Sequence, residues 1–277
     1  MESKTSTLVA VGASDPAPLP ASSVDAAWFE APVCRNCGSS RDTPFCPRCG
    51  QKAAKRFVWR DIAKESWDRL RFFELKSLKT LARLVTAPGT VARNYVMGRR
   101  TAYMHPLTLL VALVAVLVLI LAANRYFDLS GFADRDLDRM AERVMAYANW
   151  SFSLGIVAIF AGSWSSFRRR CGYNAVEHAI LAVYAQAIIL AAIIINMLPT
   201  LIWGDPGFVA AHRAASQYYL YAIKLAIVTV AYRQFFLLDL RSDWPRLLLA
   251  CLLYAGVSWL LLRAYAAAVL WLVTATS

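Results

Sequence analysis

From Leu107 onward the chain is a succession of apolar runs separated by short polar or basic breaks. The runs cover about residues 107–123, 147–167, 175–203, 216–236 and 247–273. Each is about long enough, as a helix, to cross the roughly 30 Å hydrocarbon core of a bilayer. Between the first two runs, Asp128, Asp134, Asp136, Asp138 and Glu142 offset Arg125, Arg135, Arg139 and Arg143 in a polar outer connection. Arg168-Arg169-Arg170 closes the second run and Gly204-Asp205-Pro206-Gly207 is a turn after the third. Arg263 interrupts the fifth, but at 1.5 Å per residue it lies about 24 Å beyond Leu247, where a long side chain snorkels to the interface. The pattern predicts an all-α, multi-pass membrane bundle of about five transmembrane helices over 107–277.

Before the bundle the periodicity changes. Over 55–87, Trp59, Ile62, Ala63, Ser66, Leu70, Phe73, Ser77, Leu81 and Leu84 fall on one helical face, with Asp61, Glu65, Asp68, Lys79 and Arg83 opposite. This predicts a juxtamembrane amphipathic helix. Its apolar face can lie in the membrane interface, with Lys64, Arg69, Arg71 and Lys76 near anionic lipid headgroups, or pack on protein; periodicity does not choose. Pro88 and Gly89 end it. In the following stretch, 88–106, Gly98-Arg99-Arg100 precedes the first run, Tyr95 and Tyr103 offer rings for the headgroup level, and Pro106 opens a helix. Residues 1–30, rich in Ser, Ala, Pro and Asp, read as a disordered cytosolic tail.

Composition supports the membrane assignment: 58% of residues are hydrophobic and 17% charged, with mean hydropathy +0.45. A net charge of +12 can signal nucleic acid, but in a multi-pass protein basic residues gather at the cytoplasmic face, which disfavours a nucleic-acid partner here. The basic N-terminal region, Arg168–Arg170 and Arg241 then lie inside. The N-terminus is cytosolic and the C-terminus periplasmic.

Residues 31–52 carry the strongest chemical signal. Cys34-Arg-Asn-Cys37 and Cys46-Pro-Arg-Cys49 are two CxxC pairs, each followed by glycine, Gly38 and Gly50. Two such turns supply four thiolates to one tetrahedral ion, which predicts a structural Zn2+ site in a ribbon too small to have a core of its own. No ligand position stays open for water, so the site is structural rather than catalytic. Disulfides or a redox pair suit a cytosolic segment without a βαβ pattern poorly, while spacing alone leaves an iron centre open beside zinc.

With its paired CxxC knuckles, Pro88, Gly89, Arg93, Tyr95, Gly98, Arg99, Arg100, Tyr103 and Pro106, and the later Tyr173-Asn174-Ala175-Val176-Glu177-His178, the chain resembles a family of bacterial inner-membrane proteins of unknown function. The resemblance implies the architecture and a bacterial inner membrane. It implies no activity, substrate or catalytic residue.

Ionisable groups at membrane depth are candidate functional residues. Arg99, Arg100, Tyr103, His105, Glu177 and His178 form a candidate polar cluster on the cytoplasmic side. Lys224 lies about 12 Å inside the fourth run, at the depth of Gln186, and can serve a ligand or proton pathway or make a structural hydrogen bond. Cys171 and Cys251 read as packing thiols. HExxH, Gly-x-Ser-x-Gly, Walker and dinucleotide patterns are absent, which leaves hydrolase, ATPase and dehydrogenase readings without their parts. Two functions remain: a membrane-anchored interaction or regulatory protein whose ribbon recruits a cytosolic protein partner, or a small-solute or lipid transporter with the ribbon as a folding clip.

Overall fold

The computed structural model describes residues 24–59, 76–123 and 151–275. Among them all regular structure is helical: α1 (Ala26–Glu30), α2 (Lys76–Thr86), α3 (Pro88–Val96), α4 (Pro106–Ala123), α5 (Ser151–Phe167), α6 (Ala175–Ile202), α7 (Pro206–Phe235) and α8 (Trp244–Ala275). The short links joining α5 to α6, α6 to α7 and α7 to α8 make these helices antiparallel neighbours. Arg170, in the first link, donates to the carbonyls of Phe236 (3.0 Å) and Leu237 (3.2 Å) and pairs with Asp243 at 2.8 Å. One guanidinium thereby ties the α5–α6 link to the α7–α8 link. At the far end His212 contacts the Asn196 carbonyl at 2.8 Å.

Two helices, Ala175–Ile202 and Trp244–Leu272, are long and apolar enough to cross a membrane. They occupy opposite places. α6 is the axle, packed by α2, α3, α4, α5 and α7, whereas α8 leans on α5 and α7 through one face. α6 starts where it does because Asn174 accepts from the Glu177 amide (2.9 Å) while the Glu177 carboxylate accepts from the Asn174 amide (2.7 Å), a reciprocal capping box. α3, cut from α2 by Ala87-Pro88, is almost wholly buried. A Cβ on Gly89 would lie 2.7 Å from the Phe235 nitrogen, so glycine permits α3 to touch α7, and the Gln234 side chain caps the Gly89 amide at 3.1 Å.

Several boundaries differ from those expected. Residues 53–58 are not helical, although a helix was expected to open at Lys55: the Lys55 and Phe57 carbonyls accept from Arg100 and Asn174 of the bundle instead; residues 60–75 of the expected helix lie outside the described residues. In the described turns of α2, Thr80 and Leu84 are buried against protein, while Val85 is exposed. Pro88 and Gly89 do end a helix, but they also begin the next. The fourth apolar helix begins at Pro206, ten residues ahead of the expected Ser216, since Asp205 accepts from the Phe208 amide (2.9 Å) and Pro206 suits a first turn. The expected tail reaches residue 30, yet Val24 and Phe29 are buried and α1 is capped by Asp25. Residues 1–23 and the acidic-basic connection over 124–146 lie outside the described residues.

Candidate metal centre and its mounting on the helices

The two cysteine turns are near copies of each other, displaced by twelve positions. In the first, the Cys34 amide donates to the Ser39 carbonyl (2.8 Å), Gly38 to Cys34 (2.9 Å) and Arg41 to Pro32 (2.9 Å). In the second, Cys46 donates to Gln51 (2.9 Å), Gly50 to Cys46 (2.9 Å) and Ala53 to Pro44 (2.8 Å). Gly38 and Gly50 hold φ of 75° and 67°, the left-handed conformation that closes each turn at little steric cost. Isolated bridges Val33–Ser40 and Phe45–Lys52 brace the bases.

These turns bring Cys34, Cys37, Cys46 and Cys49 together with every Sγ within 4.8 Å of the others, a set that can hold a metal ion. The Sγ atoms of Cys34 and Cys49 are 3.6 Å apart and those of Cys37 and Cys46 are 3.5 Å apart. Four sulfurs at about 2.3 Å from one tetrahedral ion stand about 3.8 Å apart, so the donors fit a zinc-sized ion. All four cysteines are free thiols. Without a cation, burial pushes Cys34 up to about 12. Burial raises Cys37 as well, but hydrogen bonds to Ser39 and the neighbouring thiols outweigh it and hold that group at about 6. A bound cation deprotonates all of its thiol ligands.

The cysteine module is built into the helices. Gln51, directly after the second turn, donates to the Gly98 carbonyl (2.7 Å) and accepts from the Thr101 amide (3.0 Å). Gly98 has φ 106°, and a Cβ there would stand 2.9 Å from that of Ala54 and 3.1 Å from that of Arg35. Trp28 donates from its indole to the Met97 carbonyl (3.1 Å), and its ring lies 3.7 Å under the Arg35 guanidinium. The irregular segment 53–58, a strap across the bundle, completes the mounting. Arg56 pairs with Glu177 at 3.2 Å and donates to the Gly172 carbonyl; Asn174 donates to the Phe57 carbonyl at 3.0 Å.

The structure divides the expected polar cluster. Glu177 is fully buried and meets Arg56, on the strap, while Arg100 donates to the Lys55 carbonyl with its guanidinium 3.6 Å over the Phe57 ring. Arg100 also acts on Glu177 electrostatically. Arg99, its half-buried neighbour, shares the Gly98 turn, its amide bonding the Asn94 carbonyl at 2.9 Å. His178, expected in the same cluster, is buried on another side: its Nδ1 lies 3.0 Å from Ser163 Oγ, between Trp164 and Phe236. Ser163 gives its proton to the Phe160 carbonyl, so Nδ1 is the donating nitrogen. Tyr103 accepts from Asn94 (3.0 Å). His105 meets the edge of the Tyr95 ring at 6.1 Å. Tyr95 is buried and stacks on Phe57, with ring centres 5.7 Å apart; Tyr103 is buried as well, so both expected interfacial rings are enclosed by protein. Lys224 is half-buried on α7, whereas Gln186 crowds Gly155 of α5.

Sequence reasoning did not single out Arg56, Gln51 and Trp28, whose partners are distant in the chain. Asn174 carried a readable signal, Asn-x-x-Glu before an apolar run. In comparisons with known proteins, residues 76–118 match a family described as a protein of unknown function, DUF3667, which spans α2, α3 and most of α4. No curated protein and no solved structure matches the chain.

Proposed function

We propose that the chain is a five-pass protein of the bacterial inner membrane in which a structural zinc ribbon, fixed to the cytoplasmic end of the helices, presents a binding surface to a cytosolic protein. The signature from Pro88 to Pro106 is the ribbon's seat. Support for the embedding comes from α8, whose outward face carries Leu248, Leu252, Trp259, Leu260 and Trp271, all exposed. So large an apolar surface is a liability in water and ordinary in lipid. Exposed Arg168, Arg169, Arg233, Arg241 and Arg246 gather at the ribbon end, as for a cytoplasmic face.

One observation carries the recruitment reading. The first cysteine turn and the strap are occupied by docking, whereas the second turn faces away, with Phe45 56% exposed beside exposed Pro44, Pro47 and Arg48. Native mass spectrometry of the intact protein, extracted mildly from its own membrane, tests this. The expected result is one zinc and a stoichiometric protein partner, the partner lost in Phe45→Ala with zinc retained. A partner that survives Phe45→Ala overturns the surface. A retained solute or lipid that Lys224→Met removes would favour transport, the reading supported by a half-buried Lys224 for which the described residues provide no hydrogen bond or ion pair.

A further inference from the structure

Between the strap, the start of α4 and the outer side of α6 lies a cleft of about 110 Å3, walled by Phe57, Trp59, Leu107, Ala179, Ile180 and Val183; Tyr95 and His105 also line it but expose almost no polar surface to it. We propose that it holds part of an acyl chain of an anionic phospholipid from the inner leaflet; this rests on the five-pass reading above. The walls are almost wholly apolar, so water has few partners there and the space suits hydrocarbon. Its volume is well under the roughly 300 Å3 at which small-molecule pockets begin, which selects a slender chain over a compact solute. Ala179 and Val183 stand one and two turns into α6, a depth of about 6 to 12 Å from its cytoplasmic end, where acyl chains of that leaflet begin.

Charge selects the headgroup. The Phe57 wall carries the Arg100 guanidinium 3.6 Å over its ring, and exposed Lys55 precedes it by two residues. The Arg56 charge is taken by Glu177, and no acidic side chain lines the cleft. A phosphate diester beside Lys55 therefore meets net positive charge. Trp59, 60% exposed at the rim, supplies an indole of the kind that settles at the headgroup level.

The test uses the full-length protein in nanodiscs of phosphatidylcholine doped with phosphatidylglycerol bearing a diazirine near the start of one acyl chain. After irradiation, labelled residues are mapped by mass spectrometry. Leu252 and Leu260 on the exposed face of α8 report ordinary lipid contact. The expected result is labelling of Ala179, Ile180 and Val183 in excess of α8, falling about tenfold in Ala179→Trp, which fills the cleft, while α8 labelling and bound zinc stay unchanged. Lys55→Ala lowers the preference for the phosphatidylglycerol probe over its phosphatidylcholine analogue. A labelled α8 beside an unlabelled cleft, or a cleft signal that Ala179→Trp leaves intact, overturns the lipid site alone. Failure to label α8 overturns the membrane reading, and the lipid site with it. Equal labelling by the two headgroups overturns the anionic assignment.

Discussion

α6 and α8 have similar mean hydropathies, 2.3 and 1.9 over their most apolar stretches, yet 78% of that stretch is buried in α6 and only 17% in α8. Hydropathy therefore reports that a helix avoids water without saying what replaces the water. The difference lies in the polar residues and the small ones. α6 carries Glu177, His178 and Gln186, each buried, and Ala182, Ala185 and Ala187, fully buried, which let other helices approach on several sides. On α8 the charged groups within the helix, Arg246 and Arg263, are exposed, and Arg263 lies over the ring of Trp259 at 4.6 Å. A helix that keeps polar groups dry must be enclosed by protein that satisfies them.

The largest break in this contrast should come from the metal. The amino end of α6 is held by the strap, and the strap is aligned by the cysteine module. Removing a ligand with Cys46→Ser, or the ion with a chelator, should forfeit about 10 kcal/mol of metal binding. Metal analysis should show the loss of one zinc per chain. Hydrogen exchange should accelerate at Gln51–Phe57 and at Asn174–His178, with α8 unchanged. Acceleration spread evenly over α6 and α8 would mean that the metal stabilises the molecule as a whole and not this joint.

Next in size is packing inside α6. Leu190 is 1% exposed, and Leu190→Ala should destabilise by about 3 kcal/mol through lost contacts and a residual cavity. Glu177→Ala should cost about 2 kcal/mol: the capping box and the Arg56 pair are lost, but Arg56, 35% exposed, can still reach water. Both are measured as unfolding midpoints of the purified protein, and Glu177→Gln should recover part of the loss by keeping an acceptor for the Asn174 amide. If Glu177→Ala were neutral, the strap would be an accessory of α6 and not its anchor.

The parts of this arrangement that were legible in the sequence are those specified locally. The CxxC turns, the helix start at Pro106 and the start of α6 at Ala175 each follow from residues within a few positions of one another. The parts that were not legible depend on distant partners. Nothing near Arg56 shows that it will meet Glu177, and nothing near Gln51 shows that it will clasp the Gly98 turn. Tyr95 and Tyr103 looked like interfacial rings because an amphipathic aromatic suits either a headgroup layer or a buried site with one hydrogen-bond partner. The start of α7 was missed for a related reason: Asp-Pro-Gly is both a turn and a helix opening, and the polar residues after it hid ten helical positions.

A smaller effect isolates the seat of the cysteine module. Gly98→Ala adds a methyl group where φ is 106° and the Ala54 Cβ is 2.9 Å away, so it should cost about 1 to 3 kcal/mol, released largely by undocking. Zinc content should hold while exchange at Thr101 and Gln51 rises. Joint loss of zinc and docking would show that the cysteine module cannot keep its ion off the helices.

The smallest effect belongs to the outward face of α8. Leu260 is 59% exposed near the middle of that helix, and Leu260→Ala should change stability by under about 0.5 kcal/mol. Under the proposed embedding, lipid tails close over the truncated side chain, so the lost protein contacts and residual cavity that make Leu190→Ala costly are missing. The pair of substitutions therefore measures enclosure directly, with side-chain chemistry held constant. A Leu260→Ala loss approaching that of Leu190→Ala would mean that protein covers this face, either a second copy or a partner helix. The contrast between α6 and α8 would then describe the isolated chain, and α8 would become the place to look for the assembly.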